Sequence, residues 1–195
     1  MVATEHIGGA EIELTLLFAD VRGSTRLGER MKPAEFSQLI GRFFSVTSHI
    51  LLNTHAWVDK LVGDQVIGMY IPYFVGPSPE RVAINAPGLC CMPLGTEKVG
   101  VPGSEVGVGI HSGTAFVGTV GSSDAATDIT VLGDVPNVAA RLSSAAASGE
   151  ILMSASTYSK SGLSPDLEKR LLDLKDKSWP LTVYVLNPFV SFGQP

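Results

Sequence analysis

Leu14–Asp20 reads LTLLFAD, and Val58–Tyr70 reads VDKLVGDQVIGMY. The first is a nearly continuous apolar run, the pattern of a strand buried on both faces. The second belongs to two β-rich runs, 56–62 and 65–71, parted only by Gly63-Asp64. Two strands joined by a two-residue turn containing glycine read as a hairpin. Each stretch carries an acid where a strand meets the surface, Asp20 and Asp64. Two such acids brought together make a divalent-cation site, since hard cations take oxygen ligands. The loop after Asp20, VRGST (Val21–Thr25), enters a helical region, and its amides are suited to phosphate oxygens.

Working outward, residues 33–53 show the apolar spacing of an amphipathic helix, with Pro33 in its first turn. A helix over 79–86 should stop at Pro87-Gly88, and 87–104 gives no assignable pattern. Two strands, 106–111 and 114–120, are expected around Ser112-Gly113, then a short strand over 129–132. A second helix is expected over 135–147, with Gly149 as its C-cap. Residues 151–154 and 181–186 are the remaining strands. Hairpin-like pairs without strict βαβ alternation predict an α+β fold, a sheet with helices packed on one face.

The 195 residues suit a single domain, 1–195, with its core at about 14–186. Apolar residues make up 45% and charged ones 17%, the balance of a globular chain. A net charge of -5 argues against nucleic-acid binding through phosphate neutralisation. Cys90 and Cys91 are adjacent, which is poor disulfide geometry and no metal spacing. Reduced thiols, no signal-peptide pattern and no membrane segment together predict a cytoplasmic protein.

Asn137 and Arg141 stand one helical turn apart and share a face, an amide beside a permanent cation. The plain alternative is a solvated helix face. Lys60 reads as an edge-strand lysine, Asp64 as a turn residue, and His111 as a structural residue at a strand end. The glycines at 107, 109, 113, 118 and 121 read as close backbone approach and bends.

Taken in order, FADVRGST, VDKLVGDQVIGMY, VGVGIHSGTAFVGTVGS, DITVLGDVPNVAARL and GEILMS resemble the class III adenylyl/guanylyl cyclase catalytic domain. The resemblance runs over about 14–186, with 76–105 poorly matched. It implies a ferredoxin-like (βαββαβ-type) core with a mostly antiparallel sheet. It also implies conversion of ATP to 3′,5′-cyclic AMP and pyrophosphate with two divalent metal ions, magnesium or manganese, at a homodimer interface.

By position, Asp20, Asp64 and the carbonyl of Val21 match the metal ligands. Val21, Arg22, Gly23, Ser24 and Thr25 match the triphosphate loop, and Lys175 a lysine for the terminal phosphates. Lys60 and Thr130 match the base-reading pair, a combination found in one subgroup. Asn137 matches the ribose-orienting asparagine and Arg141 the arginine that stabilises the transition state, both acting on the partner protomer's site. Ser24, Gln65, Pro136 and Asp176 depart from the usual residues, and Pro87 and Pro93 interrupt a normally continuous helix. The rival implication is a catalytically weak or silent cyclase-like module that binds nucleotide or dimerises in signalling.

Overall fold

The computed structural model describes residues 8–86, 106–120, 128–163, 166–173 and 180–187, and within them not the side chains of 60–62, 120 and 128. The central strand β1 (Gly9–Val21) is the apolar run, extended at its N-terminal end. Its alternate residues serve two cores. Leu17, Ala19 and Val21 face one side of the sheet, while Leu14, Leu16 and Phe18 face the other. That double burial is why the run shows no polar alternation.

From β1 the chain forms α1 (Ser24–Arg30) and α2 (Pro33–Asn53). Pro33 occupies the first turn of α2, and the Lys32 amide donates to the Glu35 carboxylate at 3.3 Å. Leu39, Ile40, Phe43 and Leu51 form its buried stripe. The hairpin of β2 (Trp57–Val62) and β3 (Gln65–Tyr70) turns at Gly63, whose φ of 62° favours glycine. Short α3 (Pro72–Val75) and α4 (Pro79–Ile84) follow. Then come β4 (Val106–Val120), β5 (Asp128–Leu132), α5 (Asp134–Ala145), β6 (Ile151–Ser154), α6 (Ala155–Ser161), β7 (Glu168–Leu172) and β8 (Leu181–Leu186).

The sheet order is β2-β3-β1-β4-β6-β8-β7, with β5 also paired to β4. Among the described residues only β4 and β6 run parallel, so the α+β architecture with a mostly antiparallel sheet is the one the sequence predicts. Residues of α1, α2, α4 and α6 join Leu17, Val66, Ile110 and Met153 in the main core on one face. On the opposite face, α5 adds Val135 and Ala139 to the core of Leu14, Leu16 and Phe18.

Several local expectations are corrected. The strands expected over 106–111 and 114–120 are one strand, because β1 pairs with it from Val21↔Val106 to Gly9↔Gly118. Gly113 marks a close approach of α5 instead of a turn: a Cβ there would lie 3.0 Å from Val135 Cγ2. His111 accordingly sits mid-strand, its Nδ1 2.8 Å from Ser154 Oγ. The helix expected to reach Ala147 ends at Ala145, capped at Ala146. Gly149, with φ of 76°, turns the chain into β6 and donates its amide to Val106 at 3.2 Å.

Candidate active site

Register brings the two acids together. In the β1–β3 pair Asp20 stands opposite Gln65, so the tip of the hairpin lies beside the end of β1. The Val21 amide donates to the Asp64 carbonyl at 3.2 Å. Ser24, buried at the start of α1, donates its hydroxyl to Asp64 Oδ2. Burial pushes the Asp20 carboxyl up to about 6, against the pull of Arg22 and helped by the charge of Asp64.

The two oxygens of Asp20 are in different situations. Oδ2 pairs with the Arg22 guanidinium. Oδ1 is buried and has no hydrogen-bond partner among the described residues. Burying a polar atom without a partner is costly, and a cation beside it would remove the cost. The donor set therefore fits a hard divalent ion. Among the described residues no cluster of three or more His, Cys, Asp or Glu side chains exists.

Gly23 precedes α1 with φ of 70°, so the chain turns sharply out of β1 there. No side chain caps the helix start. A cleft of about 290 Å³ opens beside it, lined by Ser24, Thr25, Gly28, Phe36, Gly63 and Asp64. Arg22 does not point into solvent. Its Nη1 donates to the carbonyls of Ser144 at 3.0 Å and Ala146 at 3.3 Å, at the C-terminal end of α5.

The second group of residues lies on other elements, β5 and α5. Thr130 is on β5, opposite Gly118. Asn137 is exposed and Arg141 half-buried, on the face of α5 turned away from the buried Val138, Ala139 and Leu142. The Asn137 side-chain amide donates to the Gly133 carbonyl one turn back, at 3.2 Å. Lys60 lies on β2 where the β2–β3 register shifts, and its side chain is outside the described residues, as is the whole of Lys175. By sequence position Arg22 belongs only to the phosphate loop. Its link to α5 had one faint sequence signal, Gly107, where a Cβ would lie 2.9 Å from Arg22 Nε.

The family of adenylate and guanylate cyclase catalytic domains matches residues 10–170. The chain belongs to that family. An adenylate cyclase of Anabaena cylindrica is 31% identical over 147 residues, covering 70% of this chain and 28% of that protein. An uncharacterised protein of Mycobacterium tuberculosis is 31% identical over 151 residues, covering 76% of this chain and 27% of its own length. The chain thus spans about a quarter of the length of these relatives. Among solved structures, the adenylyl cyclase CyaB from P. aeruginosa superposes with a TM-score of 0.77 at 27% identity, covering 92% of this chain and 95% of that one. The guanylyl cyclase Cya2 superposes with a TM-score of 0.80 at 23% identity, covering 92% and 93%, a likeness of fold. This cyclase domain accordingly has both adenylyl and guanylyl cyclases among its neighbours. Among its described residues no helix is long and apolar enough to cross a membrane.

Proposed function

We propose that this domain converts ATP to 3′,5′-cyclic AMP and pyrophosphate at composite sites formed by two copies of the chain. The observation that carries the reading is the paired acids, Asp20 and Asp64, with one buried oxygen of Asp20 left without a partner beside the Val21–Thr25 loop. The split between these acids and the outward-facing pair on α5 supports the dimeric form of the site. Asn137 and Arg141 project from the helix surface, where a second protomer would meet them. Two-fold symmetry then gives two equivalent sites per dimer.

In this reading Asp20, Asp64 and the Val21 carbonyl would hold two magnesium or manganese ions. Such ions supply neutralisation of the triphosphate and ready ionisation of the ribose 3′-hydroxyl. Amides of Arg22, Gly23, Ser24 and Thr25 bind triphosphate oxygens, and Lys175 holds the terminal phosphates. Lys60 donates to adenine N1 while the Thr130 hydroxyl accepts from the exocyclic amine, so the pair selects ATP. Asn137 orients the ribose so that the 3′-oxygen lies in line with the α-phosphorus. The new bond joins O3′ to that phosphorus, the bond to pyrophosphate breaks, and the hydroxyl proton passes to solvent. Arg141 meets the charge that builds on the phosphoryl oxygens, a contact of the kind worth ~10³-fold or more in rate. On this reading residues 1–195 form one catalytic domain that acts in the cytoplasm in signalling.

One observation favours a second reading, a silent module that binds nucleotide without turnover. The helix between β3 and the unassigned stretch is short, with α4 ending at Ile84. The test is turnover with ATP and with GTP, each with magnesium and manganese, across protein concentration. Cyclic AMP formation that rises more steeply than protein concentration is expected. Nucleotide binding by calorimetry with no cyclic product from either nucleotide would replace the enzymatic reading with the silent one.

A further inference from the structure

We propose that Arg22 is a positioning residue that fixes which oxygen of Asp20 is offered to a metal ion. The inference rests on the reading of Asp20 and Asp64 as metal ligands, and it assigns this chain's arginine a task beyond the phosphate loop. A carboxylate free to rotate offers either oxygen. Here Arg22 Nη2 holds Oδ2, and Oδ1 stays buried with no partner among the described residues.

The guanidinium is itself anchored. Nη1 donates to the Ser144 and Ala146 carbonyls, two acceptors left open where α5 ends. A cation at a helix C-terminus is also favoured by the helix dipole. The planar fork is what allows one side chain to span the carboxylate and the helix end together, which a lysine's single nitrogen does not. Space for it is built into β4. A Cβ on Gly107 would lie 2.9 Å from Arg22 Nε, 3.1 Å from Cζ and 3.2 Å from the Ala146 carbonyl. The strut thus joins the end of β1, which carries Asp20, to the helix that carries Asn137 and Arg141. Partners behind a ligating carboxylate orient it, and removing them weakens metal affinity by about 10–100-fold.

The experiment is Mn2+ binding to the intact chain without nucleotide, read as free Mn2+ by electron paramagnetic resonance, beside thermal melting. Arg22→Ala should bind Mn2+ about 10–100-fold more weakly than wild type. Arg22→Lys keeps the charge but loses the fork, and should remain several-fold weak. Gly107→Ala should weaken binding in the wild-type background and add little in Arg22→Ala, because the group it displaces is already gone. Equal or tighter Mn2+ binding by a folded Arg22→Ala overturns the proposal, since Arg22 then acts as no more than a competing charge. Full recovery by Arg22→Lys overturns it too. If wild type itself binds no Mn2+, the metal reading of Asp20 and Asp64 fails, and the role of Arg22 fails with it.

Discussion

Gly109→Ala tests how closely the position of α5 is tied to activity. Gly109 lies on β4 directly under α5, and a Cβ there would sit 2.2 Å from the Ser143 amide nitrogen and 2.4 Å from the Ala139 carbonyl oxygen. Both are backbone atoms of a helix, so no side chain can swing aside. Relief to an ordinary contact needs α5 to lift by about 1 Å, and overpacking of this kind costs about 1–3 kcal/mol. For a chain of this size each kcal/mol moves the melting midpoint by about 2–4 °C. The expected fall is therefore about 2–12 °C. The same shift carries Asn137 and Arg141 with it, and a misplacement of about 1 Å lowers turnover by roughly 10²-fold. Two controls set the scale. Gly113→Ala meets side-chain atoms alone, the Val135 methyl at 3.0 Å and His111 Nε2 at 4.0 Å, and should cost less than Gly109→Ala in both readouts. Gly41→Ala, in the exposed face of α2 with nothing within 4 Å, should raise stability by up to about 1 kcal/mol. Melting curves and cyclic AMP assays on the three variants decide the matter. A Gly109→Ala protein that melts and turns over like wild type would refute the close packing of α5 and its link to activity.

Mixing inactive Asp20→Ala with inactive Arg141→Ala should restore about a quarter of wild-type turnover. Random pairing makes half the dimers mixed, each with one intact site; no recovery on mixing argues against shared sites. Asp20→Asn should abolish metal-dependent turnover yet raise the melting midpoint in EDTA, because it removes a buried charge next to Asp64. A lower midpoint would show that the Arg22 pair outweighs that burial. Burial disfavours the Glu150 carboxylate, but bonds from Arg170 at 2.8 and 3.1 Å and from the Ala147 amide at 2.9 Å outweigh it and hold its pKa below the ordinary value. A lowered carboxyl pKa stabilises the fold above the unfolded value, ~4.3, and that stability is lost as pH falls through the folded value. Urea midpoints between pH 7 and 3 should therefore fall more steeply for wild type than for Glu150→Gln, and parallel curves would refute the pairing. At neutral pH Arg170→Ala should cost about 1–3 kcal/mol by removing the two guanidinium bonds to the buried Glu150 carboxylate.

Much of the architecture is legible in short-range pattern. The α2 stripe, with Pro33 at its start, repeats at helical spacing. The β2–β3 hairpin is written in Gly63-Asp64 between two β-rich runs. Elements whose stability comes from distant partners leave fainter marks. β7 reads EKRLL and is mostly exposed, so it shows no strand alternation, and it exists because β8 pairs with it. α6 is seven residues of mostly polar sequence, held by the Ser154 cap and by the hydroxyl of Thr157 against Ser112. β4 reads as two strands because Ser112-Gly113 interrupts its apolar pattern. A glycine required by a helix crossing above a strand and one required by a bend are identical in sequence.

The sequence alone determined the residue types of the site: two acids at strand ends, a glycine-turned loop, and an amide and a guanidinium one helical turn apart. These follow from local spacing, and their order along the chain names the family. Only the tertiary structure decided how they are grouped. Antiparallel register set Asp20 beside Asp64, while α5 turned Asn137 and Arg141 outward from the same sheet. The individual states of the two Asp20 oxygens also required the fold. One is held by an arginine anchored more than a hundred residues away in sequence, and the other is buried without a partner among the described residues. Burial and long-range hydrogen bonds depend on what packs against a group, and that is absent from any local stretch of chain.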